Sequence, residues 1–262
     1  MNLKTPQSSD HKDWFRYWKD PLKITIPLVF TKVYRERNLD RKNWKTHLST
    51  DDLCWQKGLL SGLNTGIISL SEEKESIRAR VVQQRSELSS RDVEEKSHRI
   101  YLNLIGLDSF KFSDKIGLYS PIKNEVRTDS IFLKAKELGK EVYFPKVSGS
   151  SLSFHRVGDL NELAPGKFGV LEPAGSAPIV EPRELDLLVV PGAAFDARGG
   201  RLGYGKGYYD RFMVDVPRSK RIGISYKLQL QKSIPSESHD VDLGLLVHEL
   251  GIIFCRSNTG GI

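Results

Sequence analysis

The chain has 262 residues, of which 39% are hydrophobic, and its 40 Lys and Arg against 33 Asp and Glu give a net charge of +7. This length and composition allow one large or two small domains with a real core and exclude a wholly disordered chain. No apolar run reaches the roughly 18 residues of a membrane span, and the start lacks the layout of a secretory signal, so a cytoplasmic protein without a membrane partner is expected. Cys54 and Cys255 have no metal-ligand spacing and indicate neither a zinc site nor a disulfide.

The first 70 residues differ in composition from the rest of the chain. They hold all four tryptophans and 12 Lys and Arg against 7 Asp and Glu, so most of the net positive charge lies there. No sustained apolar period occurs, and we predict a poorly ordered extension at 1–70 ahead of a folded domain at 71–262. A nucleic-acid- or membrane-binding arm is an alternative that the scattered charges disfavour. Another hypothesis is translated upstream sequence with a non-AUG start near Leu70, because the only methionines are Met1 and Met213.

The folded part begins with two predicted helices, over 72–88 and 90–106, with Ser71 as the N-cap of the first. A strand at 115–120, a helix at 128–140 and a strand at 141–147 then form a βαβ unit, which is typical of a parallel sheet. The elements predicted after this unit are strands at 151–157, 186–190, 221–226 and near 251–255, with a helix at about 206–214. The predicted fold class is α/β.

A glycine-rich segment lies between the strand at 186–190 and the following helix. Its five glycines, which fall within nine positions, are Gly199, Gly200, Gly203, Gly205 and Gly207. Each glycine costs about 0.5–1 kcal/mol relative to alanine, so a function should require them. Backbone N–H groups in such a loop, together with a helix N-terminus, can bind an anion. The segment therefore predicts a phosphate site.

Three charged residues in this segment fit the same interpretation. Arg201 offers a forked donor to phosphate oxygens, and Lys206 a compact charge. The carboxylate of Asp210 is suited to Mg²⁺ held beside nucleotide phosphates. The alternative is a tight turn with a solvated Arg and Lys and a capping Asp, and the spacing matches neither of the common nucleotide-binding glycine motifs. The spacing alone leaves the ligand unnamed.

The glycine-rich segment, PGAAFDARGGRLGYGKGYYDRF at 191–212, resembles the signature of the 5-formyltetrahydrofolate cyclo-ligases. Further matches are KESIR at 74–78, IGLYSPIKNEVRT at 116–128, GVLEP at 169–173 and HDVD at 239–242. The resemblance implies a three-layer α/β fold with a mainly parallel sheet flanked by helices, similar to the sugar-phosphate isomerase and CoA-transferase group. It also implies conversion of 5-formyltetrahydrofolate, which can be polyglutamylated, to 5,10-methenyltetrahydrofolate with ATP and Mg²⁺. A monomer that binds no nucleic acid is expected.

The resemblance also implies roles for particular residues. The implied catalytic residues are Arg201 and Lys206. The implied ATP site comprises two stretches, Lys74, Glu75, Ser76, Ile77 and Arg78, and Arg201, Leu202, Gly203, Tyr204, Gly205, Lys206, Gly207, Tyr208 and Tyr209. The implied folate site comprises Arg78, Ser120, Glu125, Tyr204, Gly205, Lys206, Gly207 and Tyr208. The implied Mg²⁺ ligands are Asp210 and Asp240.

Two departures from the family pattern are visible. Gly244 stands where family members often carry a further acidic residue, and residues 1–70 match nothing in the pattern. Two other functions stay open, a non-catalytic folate- or nucleotide-binding homologue and a related enzyme of thiamine metabolism. The enzyme is favoured because a protein that only binds has little chemical need for the carboxylate of Asp210 beside Arg201 and Lys206.

Overall fold

The computed structural model describes residues 69–256 of the chain, so the predictions made for residues 1–68 lie outside the described residues. The α-helices of this part are α1 (Leu70–Ser86), α2 (Ser90–Ile105), α3 (Asp108–Lys111), α4 (Asp129–Glu137) and α5 (Tyr208–Met213). The strands before the glycine-rich segment are β1 (Lys115–Gly117), β2 (Glu141–Ser148), β3 (Ser151–Arg156), β4 (Ala164–Pro165), β5 (Leu171–Glu172), β6 (Ile179–Val180) and β7 (Leu187–Val190). The remaining strands are β8 (Ala194–Asp196), β9 (Arg201–Leu202), β10 (Arg221–Ile224), β11 (Leu230–Gln231), β12 (Leu245–His248) and β13 (Gly251–Phe254). None of the helices described here is long and apolar enough to cross a membrane.

The first helix starts earlier than its sequence suggests. Its N-cap is Ser69, whose Oγ accepts a hydrogen bond from the backbone N–H of Glu72 at 3.2 Å. The Glu72 carboxylate accepts the N–H of Ser69 in return at 2.9 Å, which completes a capping box. The prediction of Ser71 as N-cap was therefore wrong, because the acidic residue three positions after Ser69 decides the start.

Eight strands form the main sheet, in the order β13-β12-β10-β7-β1-β2-β3-β6. The five from β12 to β2 are parallel, and β13, β3 and β6 pair antiparallel at the two edges. The prediction of a mainly parallel α/β sheet is confirmed. It missed β12, whose three apolar residues Leu245–Val247 directly follow a polar loop, and the two-residue edge strand β6.

Hydrophobic cores cover both faces of this sheet, which makes the three layers. Side chains of a strand alternate between faces, and in β7 Leu187 and Val189 join one core while Leu188 and Val190 join the other. Helices α2 and α4 pack on the first face, and α5 contributes Phe212 to the second. All four β7 side chains are fully buried, as expected for a central parallel strand.

The glycine-rich segment is not one continuous loop between β7 and the next helix. Its first half folds into an antiparallel pair of β8 and β9, and the turn between them is held by Asp196, which accepts the backbone N–H groups of Arg198 and Gly200 at 2.9 and 3.0 Å. Gly199 in this turn has φ of +99°, and a Cβ there would lie 2.4 Å from the carbonyl oxygen of Leu243. The first two glycines therefore serve the turn.

The strand order changes direction between β1 and β7. From β1 the chain continues through α4 to β2 on one side, whereas β7 leads to β10 and β12 on the other. Ligands of open α/β sheets bind beyond the carboxyl ends of strands at such a switch point. The segments that leave β1 and β7 are those that carry most of the predicted site.

Candidate functional site

A cavity of about 770 Å³ opens at this switch point. Its walls come from α1, from the segments after β1 and β7, from the β4–β5 ribbon and from residues 237–240. A volume of this size lies in the usual range for cofactor and substrate sites.

The cavity brings together all but two of the predicted site residues. Those that line it are Lys74, Glu75, Arg78, Ser120, Glu125, Arg201, Leu202, Gly203, Tyr204, Gly205, Lys206, Gly207, Tyr208, Tyr209, Asp210 and Asp240. Ser76 is exposed to solvent, and Ile77 packs against the small apolar cluster around Val81. These two residues point away because they lie on the other faces of α1.

Helix α1 presents a row of cations to the cavity. Lys74 and Arg78 are four residues apart and so lie on one face of the helix. The Arg78 side chain pairs with Glu75, and its Nε donates to the carbonyl oxygen of Gly203 at 2.8 Å. Arg78 thereby ties α1 to the middle of the glycine-rich segment.

Lys74 is held by two carboxylates from a distant part of the chain. Its Nζ lies 2.6 Å from Asp240 Oδ2 and 2.7 Å from Glu237 Oε2. Burial acts to lower the pKa of Lys74, but the hydrogen bonds to Asp240 and Glu237 outweigh it and raise that pKa. Burial acts to raise the pKa of Asp240, but the hydrogen bond from Lys74 prevails and lowers it. Both groups are therefore charged at neutral pH.

A second ion pair joins Arg201 to Asp210 across the helix start. The Arg201 guanidinium donates to Asp210 Oδ1 at 2.9 Å and to the carbonyl oxygen of Pro191 at 3.3 Å. The Arg201 side chain is only 3% exposed, and its Nε has no hydrogen-bond partner among residues 69–256. The hydroxyl of Tyr209, whose ring lies beside this guanidinium, is likewise buried without a partner in that range, and burial raises its pKa.

The second half of the glycine-rich segment lines the cavity directly. Gly205 and Gly207 both adopt left-handed backbone angles, with φ of +85° and +64°, which a glycine accepts without strain. Lys206 between them is exposed, and its ammonium makes no ion pair with any part of the chain that the structure describes. The hydroxyl of Tyr208 donates to the carbonyl oxygen of Gly149 at 3.2 Å. Lys206 is thus one of three exposed lysines, with Lys123 and Lys167, that line the cavity without an ion pair in the described residues.

Glu125 forms a buried network with two further side chains at the back of the cavity. The hydroxyl of Tyr204 donates to Glu125 Oε1 at 2.9 Å and accepts from Arg85 Nη2 at 2.6 Å. Arg85 Nη1 lies 3.7 Å from the same carboxylate oxygen. Burial raises the pKa of Glu125, while Arg85, the Ile122 N–H and Tyr204 act against that rise. Burial, followed by the charge of Glu125, raises the pKa of Tyr204 to about 12.

Arg85 was not among the predicted site residues. It is 0% exposed, and it also donates to the backbone carbonyl oxygens of Lys123 and Gly192 at 3.0 and 3.3 Å. The signal that could have found it is its position, because it follows Lys74 by eleven residues, or three helical turns, on the same face of α1.

The turn that presents Glu125 contains two residues with left-handed backbone angles. Lys123 has φ of +49° and Asn124 of +57°, and the Glu125 N–H closes the turn on the carbonyl oxygen of Ile122 at 2.9 Å. Such conformations cost a non-glycine residue about 1–3 kcal/mol and concentrate at functional sites. The Asn124 amide offsets part of this cost by donating to the carbonyl oxygen of Leu88 at 3.2 Å.

The donor set fits Mg²⁺, which takes carboxylate oxygens and shares them with phosphates. Asp210 and Asp240 both line the cavity, and Asp240 also lies in a close group with Glu237 and His239. Asp210 is not part of that group. Gly244 has no side chain to offer the metal. An acidic residue could not replace it without a backbone shift, because a Cβ there would lie 2.4 Å from the carbonyl oxygen of Arg218.

These features define an α/β protein with a two-part cavity, one part rich in cations and glycine and the other built around a buried carboxylate. Residues 70–249 match the model of the 5-formyltetrahydrofolate cyclo-ligase family. The chain therefore belongs to this family, and the resemblance seen in the sequence is confirmed. It is an enzyme of the ligase class that uses a nucleotide and a folate.

Several relatives carry the same description. A 5-formyltetrahydrofolate cyclo-ligase of Saccharomyces cerevisiae is 30% identical over 58% of this chain and 83% of its own length. The 5-formyltetrahydrofolate cyclo-ligase of Haemophilus influenzae is 27% identical over 66% of this chain and 96% of its own length. Among solved structures, the 5,10-methenyltetrahydrofolate synthetase of Aquifex aeolicus is 36% identical, covers 72% of this chain and 94% of its own, and has a TM-score of 0.63. The 5,10-methenyltetrahydrofolate synthetase of Mycoplasma pneumoniae is 27% identical, covers 67% of this chain and 98% of its own, and has a TM-score of 0.56.

Proposed function

We propose that this protein cyclises 5-formyltetrahydrofolate to 5,10-methenyltetrahydrofolate with ATP and Mg²⁺, releasing ADP and phosphate. The observation that supports this most is the single cavity that gathers Lys74, Arg201 and Lys206 beside Glu125. In the proposed reaction the γ-phosphoryl group passes to the formyl oxygen and N10 attacks the formyl carbon. Phosphate then leaves with that oxygen, and the N10 proton is released.

The residues of the cavity divide this work between them. Lys206 and Arg201 would hold the phosphates and stabilise the charge that develops during transfer, which is the main contribution of a protein to phosphoryl transfer. Glu125 would accept parallel N–H bonds from the amino-pyrimidine edge of the pterin. Asp210 and Asp240 would hold Mg²⁺, which neutralises phosphate charge when bound. Expectations of a monomer, of polyglutamylated substrates and of a cytoplasmic location stay predictions.

The direct test is an absorbance assay for methenyltetrahydrofolate. With 5-formyltetrahydrofolate, ATP and Mg²⁺ we expect product to accumulate, and we expect chelation by EDTA to stop it until Mg²⁺ is restored, because the phosphate charge is then uncompensated. Folded protein that binds both ligands without forming product would instead support the non-catalytic homologue. A protein that binds neither would contradict the proposal.

A second prediction follows from the two ion pairs of the ligand-free cavity. Each carboxylate proposed for Mg²⁺ is already paired with a cation proposed for phosphate, Asp240 with Lys74 at 2.6 Å and Asp210 with Arg201 at 2.9 Å. Mg²⁺ alone has to compete with those cations, whereas phosphates draw them away. We therefore expect weak binding of Mg²⁺ alone, and Lys74→Gln should strengthen it about 5-fold or more, as a removed competitor would.

Calorimetric titration of MgCl₂ into nucleotide-free protein measures this change. Lys232→Gln is the matched control, because Lys232 is an exposed lysine outside the cavity. An unchanged Mg²⁺ affinity in Lys74→Gln would show that Asp240 is not a ligand of the metal.

A further inference from the structure

Glu172 is a buried carboxylate that the proposed reaction does not use. It ends β5, is 8% exposed and lines the same cavity as Glu125. The only hydrogen bond of its carboxylate within residues 69–256 is accepted by Oε1, from the backbone N–H of Val147 at 3.4 Å. That distance is long for such a bond, so most of the capacity of this carboxylate is unused.

The other buried carboxylates of residues 69–256 are all compensated by a cation. Glu125 faces Arg85 at 3.7 Å, Asp196 pairs with Arg198 at 3.0 Å, and Glu249 pairs with Lys96 at 3.0 Å. Glu172 makes no ion pair in this part of the chain. Its Oε2 is not closed off from the cavity, so a ligand N–H donor can reach it.

Glu172 packs against the turn of its own ribbon. The β4–β5 ribbon folds back so that a Cβ on Gly166 would lie 2.5 Å from the carboxyl carbon of Glu172, a contact that the flexible Glu172 side chain could relieve by moving. The ammonium of Lys146 in β2 donates to the carbonyl oxygen of Pro173, the residue after Glu172, at 2.8 Å and makes no ion pair with Glu172. The carboxylate therefore lines the cavity, and its Oε2 has no protein partner in the described range.

The position of Glu172 indicates the kind of ligand group it meets. The neighbouring Leu171 accepts the Ser120 hydroxyl on its carbonyl oxygen at 2.7 Å, which ties β5 to the segment that carries Glu125. Phosphate oxygens would be repelled by a second anion, and the cavity already offers them Lys74, Arg201 and Lys206. A carboxylate at this end suits an N–H donor of the other substrate.

We propose that Glu172 is a second substrate-positioning carboxylate, which accepts a hydrogen bond from a secondary-amine N–H of the reduced folate. This inference rests on the proposed function. Glu125 would bind the pyrimidine edge, and Glu172 would bind N8–H or N10–H, which are the remaining N–H donors of the pteridine and its linker. Two anchors on one substrate fix its rotation and bring the formyl group to the phosphate side.

The test is Glu172→Gln, which preserves the shape and the acceptor for the Val147 N–H. We expect the dissociation constant for 5-formyltetrahydrofolate, measured without ATP, to rise about 10- to 100-fold, as for a lost hydrogen bond to a charged group. The dissociation constant for Mg·ATP should stay within about 2-fold of wild type. The Tm of the ligand-free variant should stay within about 1–2 °C of wild type, because the substitution preserves the shape and breaks no ion pair of the described residues.

Glu162→Gln is the matched control, because Glu162 accepts a backbone N–H from Gly158 at 3.0 Å but lies outside the cavity. It should leave folate binding unchanged. A Glu172→Gln variant that binds folate like wild type would overturn the inference, as would one with a lower Tm and equal losses for both ligands. A wild-type protein that does not bind 5-formyltetrahydrofolate would overturn the proposed function itself.

Discussion

Replacing Lys206 with alanine should lower kcat about 10²–10³-fold, as for other positioned donors that stabilise transition-state charge. Lys206 is exposed in the glycine-rich segment and forms no ion pair with the residues that the structure describes, so its loss removes a ligand contact and little else. The Tm should therefore stay within about 1–2 °C of wild type, since surface substitutions change stability by less than about 0.5 kcal/mol. The measurement is steady-state kinetics with saturating substrates, alongside thermal unfolding.

Lys232→Ala is the control for Lys206→Ala, because it removes an exposed lysine that does not line the cavity. Arg201→Ala is a poorer test, because Arg201 is buried and its loss would also strip Asp210 of its partner at 2.9 Å. A Lys206→Ala enzyme with full kcat would show that the phosphates lie elsewhere in the cavity.

Replacing Arg85 with methionine should lower the free energy of unfolding by about 3–5 kcal/mol, which is typical when one partner of a buried ion pair is removed. Arg85 is 0% exposed, and its loss leaves Glu125 without its ion-pair partner and frees the carbonyl oxygens of Lys123 and Gly192. Urea unfolding at neutral pH measures this change. The double variant Arg85→Met with Glu125→Gln should recover part of the loss, because the unpaired charge is gone.

The same variant should alter the pH dependence of folate binding. Burial raises the pKa of Glu125 in the folded protein. The carboxyl group is uncharged below that pKa, and the fold loses stability as the pH rises through it, because the buried group then ionises. Arg85 opposes the rise, and its removal should move the pKa higher still. The KM for 5-formyltetrahydrofolate should then begin to increase at a higher pH than in wild type as the medium is acidified. An unchanged acid limb would show that Arg85 acts only in packing.

Local sequence features predicted the elements that carry the site. The apolar runs of β1 and β7 and the βαβ unit between β1 and β2 have patterns set by neighbouring residues, and the sheet follows from them. The glycine-rich segment was predicted as the phosphate side because closely spaced glycines, with Arg201 and Lys206 among them, are typical of anion binding. The residues of 74–78 were found only through the family resemblance, since a helix that carries Lys, Glu and Arg is normally a solvated surface.

The contacts that decide the chemistry of the cavity were beyond the reach of the sequence. Lys74 meets Asp240 from 166 positions away, and Arg85 meets Tyr204 from 119 positions away, so no local pattern records either pair. Burial of Arg85 and Glu172 was also unforeseen, because charged residues are rarely buried and composition rules place them at the surface. The burial of these two side chains follows only from the packing of α1 and of the β4–β5 ribbon in the folded chain.

Tyr204 has a consequence for how the two substrates influence each other. Its hydroxyl lies between Arg85 and Glu125, where the proposed function puts the folate, while the next two residues of the chain, Gly205 and Lys206, line the part of the cavity proposed for the phosphates. On the proposed function, a nucleotide that fixes this stretch would also fix the folate anchor, so the two binding events would be thermodynamically linked. Whatever factor ATP then contributed to folate affinity, folate would return to ATP, and we expect heterotropic cooperativity through these three consecutive residues.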